Sequence, residues 1–103
     1  VTLRLGGTLD PRFAPFTLTG EVVRLFDGKL TSESFGEGWD AGPCAVFRSG
    51  PYTFVLSTRP VHLYDRTLFL AGGQHPFDFA MTVVKSPLCQ PRFFNDGAEH
   101  VLN

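Results

Sequence analysis

The chain has 103 residues, one domain's worth, and with 43% hydrophobic and 18% charged residues it can build a core and is no disordered tail. Nine Lys plus Arg against ten Asp plus Glu leave a net charge of -1, which removes the electrostatic reason to expect nucleic acid or an anionic membrane surface as partner. No apolar run approaches the ~20 residues that span a bilayer as a helix, and no signal peptide opens the sequence, so a cytoplasmic protein is expected.

In chain order, Val1, Leu3 and Leu5 alternate with Thr2 and Arg4, the period of a strand with one buried face. Gly6-Gly7 stops that run. A loop with Pro11 and Pro15 follows, because two locked φ angles suit neither helix interior nor central strand. Leu18 to Phe26 reads as the next strand, Asp27-Gly28 as a two-residue hairpin turn, and Lys29 to Phe35 as its return. Residues 36–43, with three glycines around the only Trp, read as a loop. Cys44 to Arg48 and Tyr52 to Thr58 flank Ser49-Gly50-Pro51 and predict a second hairpin, with Tyr52, Phe54 and Leu56 on one face of its return strand.

The later part changes character. Asp65 is placed to cap a short helix through Leu70, ended by Gly72-Gly73. Ala80 to Val84 is a short apolar run that predicts a buried strand. Ser86 as N-cap with Pro87 behind it starts a second short helix, which Pro91 cuts short or kinks. Glu99 to Leu102 closes as a strand. The expectation is one α+β domain over residues 1–103, mostly antiparallel β hairpins with two short helices. Val1 falls inside an alternating pattern and the last strand stops near its end, so a piece of a longer protein is expected. A processed N-terminus with a short native tail is the alternative.

Chemistry-bearing residues each have a structural reading beside the functional one. Cys44 and Cys89 share no C-x-x-C spacing and are expected to be buried free thiols, with a single disulfide as the alternative. His62, His75 and His100 lack any short ligand spacing and read as surface or hydrogen-bonded histidines rather than a zinc site. Lys85-Ser86, at the step from apolar run to helix, could gather backbone N–H groups and a cation on one carboxylate or phosphate; otherwise Ser86 caps its helix and Lys85 meets solvent. Arg59-Pro60 and Asp10-Pro11-Arg12 offer guanidinium clamps, or ion pairs that tie loops together. No G-x-S-x-G elbow occurs, and nothing selects a catalytic pair among the scattered carboxylates. Eleven phenylalanines read first as core, while Phe13, Phe16, Phe93 and Phe94 are candidates for an exposed aromatic interface.

Several segments together resemble a family. Val1-Thr2-Leu3-Arg4-Leu5-Gly6-Gly7, Leu9-Asp10-Pro11-Arg12-Phe13, Gly20-Glu21-Val22-Val23, Gly42-Pro43-Cys44-Ala45-Val46, Thr58-Arg59-Pro60, Asp65 with Phe69, and Val83-Val84-Lys85-Ser86 run in order from end to end. The set resembles the C-terminal domain of microcystinase C-like (MlrC) metallopeptidases. The resemblance implies a parent that hydrolyses peptide or amide bonds with zinc held in a larger N-terminal catalytic domain. This chain would then be an accessory part, with no metal or catalytic group of its own and inactive in isolation. It would support that domain, line part of the cleft for a peptide-like substrate, or form a contact in a homo-oligomer. Lys85, Ser86 and Arg59 are the residues expected to face the cleft, Lys85 and Ser86 holding a substrate carboxylate. In one respect the chain departs from the family: Cys89 stands where relatives carry a histidine after Lys-Ser, and Pro91 disturbs the helix. The alternative function is a stand-alone binding module with no catalytic activity.

Overall fold

The structure, a computed structural model, describes residues 1–7 and 10–84. It is built from three small antiparallel sheets. β1 (Thr2–Leu5) pairs with β2 (Phe16–Thr19), setting Leu3 against Leu18 and Leu5 against Phe16. Gly20 then breaks what the sequence suggests is one strand from Leu18 to Phe26. Its amide donates to the Val1 carbonyl at 2.8 Å, and the Val1 ammonium returns a bond to the Gly20 carbonyl at 2.9 Å. A Cβ at Gly20 would lie 2.0 Å from the Arg48 carbonyl oxygen and 3.0 Å from the Phe47 ring, so the chain can pass from one sheet to the next here only without a side chain.

The main sheet has the order β3 (Glu21–Phe26), β6 (Cys44–Ser49), β7 (Tyr52–Ser57). The β6–β7 hairpin across Gly50-Pro51 is as expected, with Val46 opposite Val55 and Phe47 opposite Phe54. Its return strand is less one-sided than its alternation suggests. Thr53 to Leu56 are all half-buried and Tyr52 is 62% exposed, because both faces of the sheet are partly covered.

The first predicted hairpin does not form. Asp27-Gly28 does turn the chain, with Gly28 at φ 76 and the Lys29 amide donating to Asp27 Oδ1 at 3.0 Å. The turn carries the chain from one sheet to another rather than back along β3. β3 pairs with β6, whose CAVFRS run offers Val46 and Phe47 as a longer apolar partner than the short β4 (Lys29–Thr31) can. β4 pairs instead with β5 (Gly38–Asp40), placing Leu30 opposite Trp39 inside the stretch read as loop. Residues 32–36 are the connecting turn, closed by the Gly36 amide on the Ser32 carbonyl at 2.8 Å.

The core lies between β4–β5 and the main sheet. Leu30, Ala41, Cys44 and Leu68 are its buried centre, with Phe26, Trp39, Val55, Val61, Leu63 and Ala71 packed around them. The helix α1 (Thr67–Ala71) supplies Leu68, and a 3-10 turn at Pro76–Asp78 is the second helical element among the described residues. Of the two glycines expected to end α1, Gly73 takes the positive φ, at 75. One expectation fails outright: Ala80 to Val84 is neither strand nor buried. Met81 and Val83 are each 76% exposed, and the Thr82 hydroxyl donates to the Pro76 carbonyl at 2.7 Å. The second predicted helix at Ser86-Pro87 and the strand Glu99 to Leu102 lie outside the described residues.

Candidate functional site

Asp65 is a buried carboxylate, 1% exposed, that accepts four hydrogen bonds. Its Oδ2 accepts from Ser32 Oγ at 2.8 Å and from the Ser34 amide at 3.0 Å. Its Oδ1 accepts from the Thr67 amide at 2.9 Å and from the Thr67 hydroxyl. Thr67 Oγ1 in turn accepts from the Glu33 amide at 3.1 Å. The carboxylate therefore fastens the β4–β5 turn to the start of α1. Burial pushes its pKa up, and the hydrogen bonds from Thr67, Ser34 and Ser32 outweigh that and hold it at about 2. A carboxylate so held neither gives nor takes a proton near neutral pH, so it is an anchor and not a general acid or base. Beside it, Arg66 meets Glu33 two-pronged, NH2 on Oε1 at 2.6 Å and Nε on Oε2 at 3.2 Å, both side chains largely shielded.

A second junction gathers three segments that are distant in sequence. The Ala41 amide donates to the Gly28 carbonyl at 2.8 Å, and the Arg59 amide donates to the Ala41 carbonyl at 2.9 Å. A Cβ on Gly28 would lie 1.8 Å from the Gly42 carbonyl oxygen, so these backbones touch directly. The same Gly42 carbonyl accepts from Cys44 Sγ at 3.1 Å. Cys44 is a buried free thiol, as expected, and burial raises its pKa. At the rim, Arg59 NH1 donates to Asp40 Oδ2 at 2.8 Å with both side chains more than half exposed. The Gly42 amide at 2.8 Å on Oδ1 is the chief cause that holds the Asp40 carboxyl below its usual range, with Arg59 adding to it.

The residues singled out from the sequence thus fall in different places. Arg59 sits at the junction rim in its ion pair with Asp40. Asp10 and Arg12 pair within their own loop at 2.7 Å. Lys85, Ser86, Cys89, Phe93, Phe94 and His100 lie outside the described residues. Phe13 and Phe16 are exposed, at 63% and 53%. His62 stacks beside Tyr64, which also touches Phe35 and Trp39, and His75 Nδ1 accepts from the Phe77 amide at 3.3 Å. Among the described residues no three His, Cys, Asp or Glu side chains gather in a way that could hold a metal ion, and no helix is long and apolar enough to cross a membrane. The N-cap of α1 is Arg66 and not Asp65, which sits one residue earlier and binds Ser32, Ser34 and Thr67, partners the sequence pattern does not announce. The nearest signal is the polar run Ser32-Glu33-Ser34, which reads as part of a strand.

The segments that meet at these two nodes are largely those that carry the family resemblance: Gly42-Pro43-Cys44, Thr58-Arg59-Pro60 and Asp65. A family model described as MlrC C-terminus matches residues 1–102. The chain belongs to the MlrC C-terminal family. No curated protein and no solved structure matches it. In this MlrC C-terminal domain, then, these three segments tie the β4–β5 hairpin to the main sheet and to α1.

Proposed function

We propose that the chain is the accessory C-terminal domain of an MlrC-like zinc metallopeptidase, which hydrolyses peptide or amide bonds in the cytoplasm. The observation that carries this reading is the family match over residues 1–102, to a family named for the C-terminal part of a longer protein. The use of Asp65, Gly28 and the Gly42 carbonyl as internal fasteners supports it, since these groups serve stability rather than turnover. Among the described residues no three His, Cys, Asp or Glu side chains gather as a zinc ligand set would. On this reading the zinc ligands belong to the N-terminal catalytic domain.

On this reading the domain supports the catalytic domain and lends residues to the rim of the substrate cleft. Lys85 and Ser86 would hold a carboxylate of a peptide-like substrate, and Arg59 would face the same cleft while tethered to Asp40. Lys85→Ala in the full-length parent should raise KM or lower kcat for a linear peptide substrate. Unchanged kinetics would remove Lys85 from the cleft. Absence of zinc-dependent amide hydrolysis in the parent would remove the peptidase reading itself.

A further inference from the structure

Strand β3 is an outer strand of the main sheet, and among the described residues β6 is its only pairing partner. Every residue from Glu21 to Leu25 is exposed, Val22 at 42%, Val23 at 38% and Leu25 at 75%. An edge of this length and apolarity offers unpaired N–H and C=O groups to another strand. Its charges say which strand. The register of β3 on β6 shifts between Val22 and Arg24, with Glu21 opposite Arg48 and Arg24 opposite Val46. Arg48 and Val46 are alternate residues of β6 and so share a face, and cross-strand partners share it with them. The extra residue at Val23 therefore brings Glu21 and Arg24 onto the same side of the sheet. In an uninterrupted strand, residues at this odd spacing point to opposite sides. Among the described residues the ion pairs are Arg12–Asp10, Arg59–Asp40 and Arg66–Glu33, so neither Glu21 nor Arg24 has a partner of opposite charge there. The Arg24 guanidinium lies beside the Gly73 backbone instead.

We propose that β3 pairs antiparallel with the β3 of a second copy of the chain, about a two-fold axis that passes between Val22 and Val23. Opposed residues of such a pair must share a face, and Glu21 and Arg24 meet that condition because of the bulge. Each Glu21 then lies opposite Arg24 of the other copy, once on either side of the axis, with Val22 opposite Val23 between them. The pattern is complementary to itself, as an isologous contact requires. It also selects the register. Sliding one strand by three residues in either direction sets Arg24 on Arg24 or Glu21 on Glu21, and like charges directly opposite are destabilising. A bulge in an edge strand guards against open-ended pairing, so the contact is short and joins two main sheets rather than many. The inference does not draw on the peptidase reading.

Sedimentation velocity of the full-length parent at about 200 µM, where a contact this small is populated, tests the pairing. The wild type should sediment as a dimer. Glu21→Arg and Arg24→Glu each set like charges together at both symmetry-related positions, and each should weaken the dimer by about tenfold or more. The double exchange, Glu21→Arg with Arg24→Glu, restores opposite charges and should return the dissociation constant to within about threefold of wild type. A monomeric wild type, a dimer indifferent to both single exchanges, or a double exchange no better than the singles overturns the proposal. Hydrogen exchange on the wild type reads the same edge without any variant. Amides of residues 22–25 should exchange about threefold or more slowly at about 200 µM than after roughly hundredfold dilution. Equal rates at the two concentrations overturn it. A charge-dependent dimer of a parent without zinc or amide hydrolysis refutes the peptidase reading and leaves the pairing standing, and an active monomer does the reverse.

Discussion

Replacing Asp65 by Asn keeps the side chain's shape but turns one of its two acceptor oxygens into a donor. Whichever way the amide is placed, it faces two donors: Ser32 Oγ and the Ser34 amide on one side, or the Thr67 amide and hydroxyl on the other. Hydrogen bonds to a charged acceptor contribute about 1.5–3 kcal/mol each, and stranding buried donors adds to the loss, so Asp65→Asn should cost about 3 kcal/mol or more. Part of that is linked to pH. A carboxyl held at about 2, against an ordinary 3.8, gives the folded state about 2 kcal/mol. Because the folded pKa is the lower one, this stabilisation is complete above about pH 5 and is lost as pH falls through the folded value. Urea unfolding midpoints of wild type and Asp65→Asn, taken from neutral pH downward, read both effects. The gap between the two proteins should narrow by about 2 kcal/mol between about pH 5 and pH 2. A gap below about 1 kcal/mol at neutral pH, or curves that stay parallel to pH 2, would refute the anchoring role of the carboxylate.

Other perturbations probe the remaining structure. Phe47→Ala removes a fully buried ring and should cost about 3–5 kcal/mol in urea unfolding, whereas a loss under about 1 kcal/mol would mean the Phe47 side of the sheet is not packed as described. Gly28→Ala drives a Cβ into the Gly42 carbonyl at a positive φ, so its Tm should fall far more than that of Lys29→Ala next to it, an exposed position; equal shifts would contradict the close crossing. Arg59→Ala removes only an exposed ion pair and should leave Tm unchanged, so a rise in KM in the parent would report a cleft role directly. Cys44 should resist alkylation in the native protein and react once urea unfolds it, since burial both covers the thiol and disfavours its thiolate; fast native labelling would contradict its placement in the core.

What could be read from the sequence follows from how local the deciding interactions are. The β6–β7 hairpin is encoded by alternation on both sides of Gly50-Pro51, and partner and turn are adjacent, so it was legible. Asp27-Gly28 carries an equally strong turn signal, and the turn exists. Which strand β3 pairs with is settled by the distant Cys44–Ser49 segment, and no local pattern announces that. Trp39 reads as a loop residue because β5 is only three residues long and lies among Gly36, Gly38 and Gly42, yet pairing with Leu30 makes it a strand. The run from Ala80 to Val84 shows the opposite error, since apolar and β-branched residues favour a buried strand but do not supply a partner. Asp65 was legible as a helix-start residue. Two of the four groups that donate to it, the Ser32 hydroxyl and the Ser34 amide, come from the β4–β5 turn more than thirty residues away, beyond the reach of a capping rule. Arg59 was legible as a clamp for a carboxylate, and the carboxylate it meets in this structure is Asp40 of the same chain.

On the proposed reading this domain serves a zinc peptidase whose metal and catalytic groups lie elsewhere in the parent. Elemental analysis of zinc, on the full-length parent and on the 103-residue chain shown to unfold cooperatively in urea, tests it most directly. Stoichiometric zinc is expected in the parent and none in the isolated domain. Stoichiometric zinc in the 103-residue chain would contradict that reading and return the search for an active site to His62, His75 and His100.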